Sequence, residues 1–368
     1  MNNLNKIDLK QPLSQLPNLN SLRFFLALFV ILYHLPQFCE NRGFPFFKDW
    51  SIFHKGTEAV YVFFSLSGFL IIRQLYDEKR KTNHVNLKRF YLNRILRIFP
   101  LYYLVLIFGI LYYAVILPQL GMLDAHDFPI KESLLFGFTF LANVLETYKP
   151  GGILEILWSI SIEEQFYILI APVFLLIKNK RILTFLITFS IVYFFFYNYT
   201  GLEWLRKFKM FYYYFSVSGI IAILSLKFPD FKLPKIIGFS ILMLFILYFF
   251  TPLFEGLSNA LYQLISMILF PMVIWILSQK SIPVFDAKIL NHLGKISYGI
   301  YMYHAIAMQI VGFIFLKIID FRIINDSIFI LIFYGTVILF TIIMSHFSYH
   351  YFEKYFLKMK KSYLKSQG

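Results

Sequence analysis

Cysteine is all but absent from this chain of 368 residues: Cys39 stands alone, which excludes an internal disulfide and leaves it the role of a small apolar residue. Charge is scarce as well. Only 15% of the residues are Asp, Glu, Lys or Arg, where a soluble domain carries about a quarter. No polar stretch is long enough for a separate soluble domain, no internal repeat is found, and the Gly-rich signatures of a P-loop or a dinucleotide fold are missing. About twenty polar residues precede the first hydrophobic run and no small-residue cleavage site follows it, which reads against a cleaved signal peptide.

What the chain has instead is apolar surface. Hydrophobic residues make up 59% and aromatic residues 21%, with a mean hydropathy of +0.65. Splitting it at polar breaks gives ten spans, near 21–38, 56–76, 100–117, 158–177, 182–199, 210–226, 236–252, 259–278, 297–316 and 327–347. The expected fold is therefore all-α, a single polytopic transmembrane domain over residues 1–368. The stretch 133–147 is apolar but too short to cross, and is expected as a re-entrant or surface-lying piece buried in protein or lining a water-filled cavity.

The formal net charge of +15 raises the question of nucleic acid, but the basic residues follow topology. With the N-terminus inside, the segments 1–20, 77–97, 178–181, 227–235, 279–295 and 354–368 hold 23 of the 35 Lys and Arg, and the opposite loops hold 9. That bias predicts both termini in the cytoplasm, with basic segments at 77–97 and 354–368, and no nucleic-acid partner. It fits a cell membrane protein, and the abundance of Ile, Phe, Lys, Asn and Tyr hints at a bacterial source.

Ionisable groups inside such spans are costly and mark function by default. Arg23 and His34 lie on the first span, eleven residues apart. That is roughly 16 Å along a helix, so they are two stations at different depths rather than a pair. An imidazole suits a general base near neutral pH. In Lys88-Arg89-Phe-Tyr-Leu-Asn-Arg94-Ile-Leu-Arg97-Ile-Phe-Pro100 the spacing predicts an amphipathic interfacial helix ended by Pro100. Its Arg89, Arg94 and Arg97 suit either the phosphates of a nucleotide-containing cofactor or anionic lipid.

Trp158-Ser-Ile-Ser161-Ile-Glu163-Glu164 opens the fourth span. Ser161 and Glu164 fit a capping box, while Glu163 points elsewhere and could charge-balance a histidine or hold a sugar hydroxyl. Ser67 and Gly68 are expected to let helices approach closely. Tyr301 and His304 lie in the ninth span, and His346, His350 and Glu353 have metal-ligand spacing that a water-facing interface explains equally well. No metal is expected there.

Taken in order, five motifs resemble the acyltransferase-3 family of integral membrane acyltransferases. They are Arg23-x10-His34, Phe63-Phe-Ser-Leu-Ser67-Gly68, Arg94-Ile-Leu-Arg97-Ile-Phe-Pro100-Leu-Tyr102, Trp158-Ser-Ile-Ser-Ile-Glu163, and Ser297-Tyr-Gly-Ile-Tyr301-Met-Tyr-His304. The resemblance implies about ten helices around a pore-like cavity, acyl-CoA (acetyl-CoA in the simplest case) as donor, and a hydroxyl acceptor on a glycan, a lipid-linked saccharide or a small secreted molecule. It makes His34 the base, with Arg23 and Glu163 in the catalytic set. Arg94, Arg97 and Arg89 would hold CoA phosphates, and Ser67, Tyr102, Trp158, Glu164, Tyr301 and His304 would line the substrate path. Many relatives carry a fused hydrolase-like domain with no counterpart here, so transfer is expected to finish in the membrane domain or with an envelope-assembly partner. Tyr61 stands where the family pattern has an acidic or small residue, and Tyr355 where it has Pro. The rival reading is a polysaccharide exporter or flippase, since a polar-lined, aromatic-rich path serves transport as well as chemistry. A scaffold role would leave Arg23 and His34 replaceable.

Overall fold

The computed structural model describes residues 16–47, 49–318 and 324–365, and among them it contains helices and no strand. Of the tails expected at 1–20 and 354–368, residues 1–15 and 366–368 lie outside the described residues. The α-helices of eight residues or more are α1 (Leu19–Glu40), α2 (Gly56–Thr82), α3 (Leu87–Leu111), α4 (Ile130–Phe138), α5 (Trp158–Leu176), α6 (Asn179–Tyr199), α7 (Tyr212–Lys227), α8 (Lys235–Phe250), α9 (Asn259–Gln279), α10 (Lys288–Lys295), α11 (Ser297–Ile318), α12 (Asp326–Phe347) and α13 (Lys354–Lys365). Eight of the helical stretches are long and apolar enough to cross a bilayer by length and composition, and α7 and α8 are apolar but shorter. All ten apolar stretches of the sequence thus form helices, and the protein is a polytopic helical bundle.

Helices in lipid gain little from the hydrophobic effect and associate through close packing. Gly68 shows this directly: a Cβ there would sit 2.3 Å from the Phe215 carbonyl oxygen, so α2 and α7 touch backbone to backbone. The start of α1 is fixed differently. The Asn18 amide donates to the Leu277 and Lys280 carbonyls at 2.7 and 2.8 Å, Ser21 donates to the Phe285 carbonyl, and Gly294 of α10 lies directly against Asn20. Arg23 is held in depth by these contacts.

Two local expectations are corrected. Pro100 does not end a surface helix; α3 runs through it from Leu87 to Leu111, and the basic motif forms the first turns of a long span. Proline costs a helix one hydrogen bond, which a bundle interior tolerates where neighbours support the backbone. Ser161 and Glu164 form no capping box, because α5 begins at Trp158 and both lie inside it. Ser161 Oγ instead accepts the Ala142 N–H at 3.1 Å. The stretch 133–147 is a broken helix, with α4 ending at Phe138, Phe140 at φ 55°, and a short helix at Ala142–Leu145. Gln165 donates to both the Phe140 carbonyl and Asn143 Oδ1, at 2.9 and 2.8 Å, tying that break to α5.

Candidate active site

Two cavities lie between α1, α2, α5 and α11, and each of the first span's ionisable residues lines one of them. The first holds about 100 Å³ and is lined by Arg23, Arg94, Arg97, Ser67, Glu163 and Tyr167, among others. It lies toward the end of the bundle where α1 begins and α2 ends, which is also where the basic 77–97 connection lies. The second holds about 380 Å³ and includes His34, His304, Trp158, Glu155, Lys209 and Arg42 in its wall. Val60 and Tyr301 line both.

The first chamber carries an excess of positive charge. Its single carboxylate, Glu163, is engaged: Ser67 Oγ donates to Oε1 at 2.8 Å and Tyr167 OH to Oε2 at 3.2 Å. Arg94 makes one long hydrogen bond to Gln74 Oε1 at 3.4 Å and lies over the Phe90 and Tyr167 rings, while Arg23 and Arg97 form no ion pair among the described residues. Three guanidinium groups around one occupied carboxylate leave an excess of positive charge that suits an anion, and their planar forks match carboxylate and phosphate alike.

The second chamber pairs two imidazoles. The rings of His34 and His304 stack at 5.2 Å and 27°. Nδ1 of His304 faces the Tyr301 carbonyl, which can only accept, so Nδ1 carries the proton and Nε2 is the bare acceptor; Nε2 is buried and has no partner among the described residues. Around them, Lys209 pairs with Glu146 at 2.6 Å and sits over the Trp158 ring at 4.8 Å. Arg42 donates to Gln309 Oε1 at 2.6 Å, and its partial burial lowers its proton affinity from the usual arginine value. Aromatic faces rimmed by carboxylates, amides and cations can hold a polyhydroxylated molecule.

The residues singled out in the sequence therefore divide. Arg23, Arg94, Arg97, Ser67 and Glu163 come together in one chamber, and His34, Trp158 and His304 in the other, with Tyr301 between. Glu163 does not charge-balance His34; it belongs to the arginine chamber. Arg89 joins neither chamber and pairs with the half-buried Glu78 at 3.0 Å. Tyr102 is fully buried and donates to the Gly137 carbonyl at 2.8 Å, which supports the broken segment. Glu164 is buried outside both chambers.

His346 and His350 join His292 at the bundle's end, with His292 Nε2 3.0 Å from His346 Nδ1. A π turn at Ser348–Glu353 swings Glu353 inward to Ser348. Among the described residues no group of three His, Cys, Asp or Glu could hold a metal ion. Sequence reasoning missed Tyr167, Gln309, Glu155, Lys209 and Arg42; the last three flank the spans on the His34 side, and that shared placement was the available signal, while Gln309 lies within α11.

A family model described as an acyltransferase domain matches residues 16–346. The chain is 30% identical over 175 residues to the peptidoglycan O-acetyltransferase OatA of Listeria monocytogenes, covering 45% of the chain and 26% of that protein. It is 27% identical over 156 residues to the O-acetyltransferase OatA of Staphylococcus aureus, covering 42% of the chain and 24% of that protein. It is also similar to ORF330 of Acidianus two-tailed virus, provisionally named an acetyltransferase, at 28% identity over 312 residues, 80% of the chain and 84% of that protein. The matched region thus spans about a quarter of the length of the two OatA proteins. No solved structure gives a significant match.

Proposed function

The chain belongs to the acyltransferase-3 family, and from that premise we propose that it carries an acyl group from acyl-CoA to a hydroxyl of an envelope glycan. Acetyl is the simplest such group. The observation that carries the donor half is the charge of the first chamber, where Arg23, Arg94 and Arg97 surround a carboxylate already engaged by Ser67 and Tyr167. Acyl-CoA is rich in phosphate, and its nucleotide end would rest on these arginines while the thin pantetheine arm reaches past Tyr301 toward His34.

There His34 takes the proton of the acceptor hydroxyl as its oxygen attacks the thioester carbonyl. The carbon–sulfur bond breaks, the ester forms, and the proton passes from His34 to the departing thiolate. The relatives named O-acetyltransferases support a glycan acceptor, peptidoglycan-like by the Listeria name, and the aromatic, polar wall of the second chamber suits one. The positive-inside bias supports a bacterial cytoplasmic membrane, with the arginine chamber open to the cytoplasm.

The test uses purified protein in nanodiscs with labelled acetyl-CoA and soluble N-acetylglucosamine oligomers, reading release of free CoA. His34→Ala should lose on the order of 10²-fold or more in turnover, the usual contribution of a general base, while still binding CoA. Loss of CoA binding together with turnover would remove the base assignment, and no donor turnover by the parent chain would remove the donor itself.

A further inference from the structure

Arg73 lies within a transmembrane helix, yet neither chamber uses it. By helical rise it sits roughly 25 Å along α2 from Gly56, near the far edge of a hydrocarbon core of about 30 Å. Its half-buried side chain donates to Ser225 Oγ of α7 at 2.9 Å, and Ser225 in turn donates to the Ala222 carbonyl at 2.7 Å. Arg73 forms no ion pair among the described residues. Asp77, one turn further on, is held by Arg80 at 3.0 Å and Lys81 at 2.6 Å. A cation at this depth calls for a counter-charge, and the protein gives it a neutral hydroxyl.

Ser225 is also the polar residue of a third cavity, a groove of about 390 Å³ formed by the end of α7 and by α9. Ile221, Leu224, Phe228, Phe231 and Trp275 make up the rest of its wall, and it shares no residue with either chamber. Phe228 and Phe231 are exposed in the connection between α7 and α8, and the Phe231 ring stacks on Trp275 at 5.8 Å and 8°. The groove therefore opens at the same end of the bundle as the basic connections, where aromatic rings suit the membrane boundary. Its rim is cationic. Arg80 donates to the Leu226 carbonyl at 3.4 Å, and in the segment 227–235 Asp230 stands against Lys227, Lys232 and Lys235.

We propose that this groove binds an anionic phospholipid from the leaflet at this end of the bundle. One acyl chain lies along Leu224, Phe228 and Trp275, and the headgroup phosphate meets Arg73, with Arg80 and Lys227 at the rim. A flat apolar surface accepts any lipid tail equally. A concave one with a fixed, uncompensated guanidinium beside it favours a tail that carries negative charge, since only one of the five N–H donors of Arg73 is engaged. The site stands apart from the acyl-CoA reading, and its occupancy can be read without donor or acceptor.

Trp275 reports on the groove directly, because bromine on a lipid tail quenches a tryptophan in contact with it. The chain would be reconstituted in phosphatidylcholine vesicles containing increasing fractions of dibrominated phosphatidylglycerol or dibrominated phosphatidylcholine. Subtracting the signal of Trp275→Phe isolates this tryptophan from the other three. Half-quenching of Trp275 should need about fivefold less of the brominated phosphatidylglycerol, the preference that one cation near an anionic headgroup supplies. Arg73→Gln should bring the two lipids level, while Arg73→Lys, which keeps the charge, should retain most of the preference. Equal quenching by both lipids in the parent chain would mean ordinary bilayer contact and overturns the site, a comparison that needs no variant of Arg73 to fold. A preference undiminished in Arg73→Gln overturns it as well.

Discussion

Arg23, Arg94 and Arg97 share one carboxylate, and Ser67 and Tyr167 already occupy it. An enclosed guanidinium without a counter-ion costs stability, so Arg23 and Arg94, together with the more exposed Arg97, fit a ligand that completes the site in use. They differ in exposure: Arg97 is open at the chamber mouth, while Arg23 and Arg94 lie deeper. Arg97→Ala should therefore weaken capture of the donor without disturbing the bundle. A charge-assisted hydrogen bond contributes about 1.5–3 kcal/mol, so the KM for acetyl-CoA should rise roughly tenfold or more. Steady-state kinetics over a range of acetyl-CoA concentrations checks this. A fall in kcat at unchanged KM would place Arg97 outside the phosphate site.

At the scale of elements, α5 has to be held firmly, since it brings Trp158 to one chamber and Glu163 to the other. Its C-terminus has no glycine cap; Ile177 is extended at φ −87°. Lys79 of α2 does that work from across the interface, donating to the Phe174, Leu175 and Ile177 carbonyls while only 7% exposed. Lys79→Met should destabilise the protein by about 1–3 kcal/mol, the cost of leaving buried acceptors unpaired. In a detergent melt it should lower Tm by several degrees, with Lys79→Arg recovering part of the loss. An unchanged Tm would show that the α5 terminus is satisfied by other means.

Such a bond was not legible in the sequence, where Lys79 is one of several cations in a basic connection. The ten apolar stretches were legible because a bilayer allows few alternatives to long helices, and the separation of Arg23 from His34 followed from helical rise alone. The errors came where a local pattern had a tertiary competitor. Pro100 reads as a stop, yet neighbouring helices carry α3 through it. Ser161 and Glu164 have capping spacing, but the helix starts three residues earlier and the Ala142 N–H claims the serine. Glu353 has ligand spacing to His350, and a π turn rotates it to the other side. Arg89 shares a motif with Arg94 and Arg97, and Glu78 takes it.

For the molecule as a whole, the positive-inside bias acquires a physical form. Direct bonds gather the basic connections at one end: Lys79 reaches the end of α5, Arg80 the Leu226 carbonyl of α7, and Asn18 the end of α9. Arg42, Lys209 and Lys55 lie at the other end, each with a polar partner of its own, in Gln309, Glu146 and Tyr262. The arginine chamber lies toward the first end, so orientation in the membrane decides whether a cytoplasmic donor can reach it. The lone Cys39 is fully buried, which leaves a clean background for single-cysteine labelling. In intact bacterial cells expressing the chain, an impermeant maleimide should label Glu255→Cys and leave His84→Cys untouched until the membrane is permeabilised. Labelling of His84→Cys from outside would turn the arginines away from the cytoplasmic acyl-CoA pool, and the proposed direction of transfer would fall even if both chambers kept their chemistry.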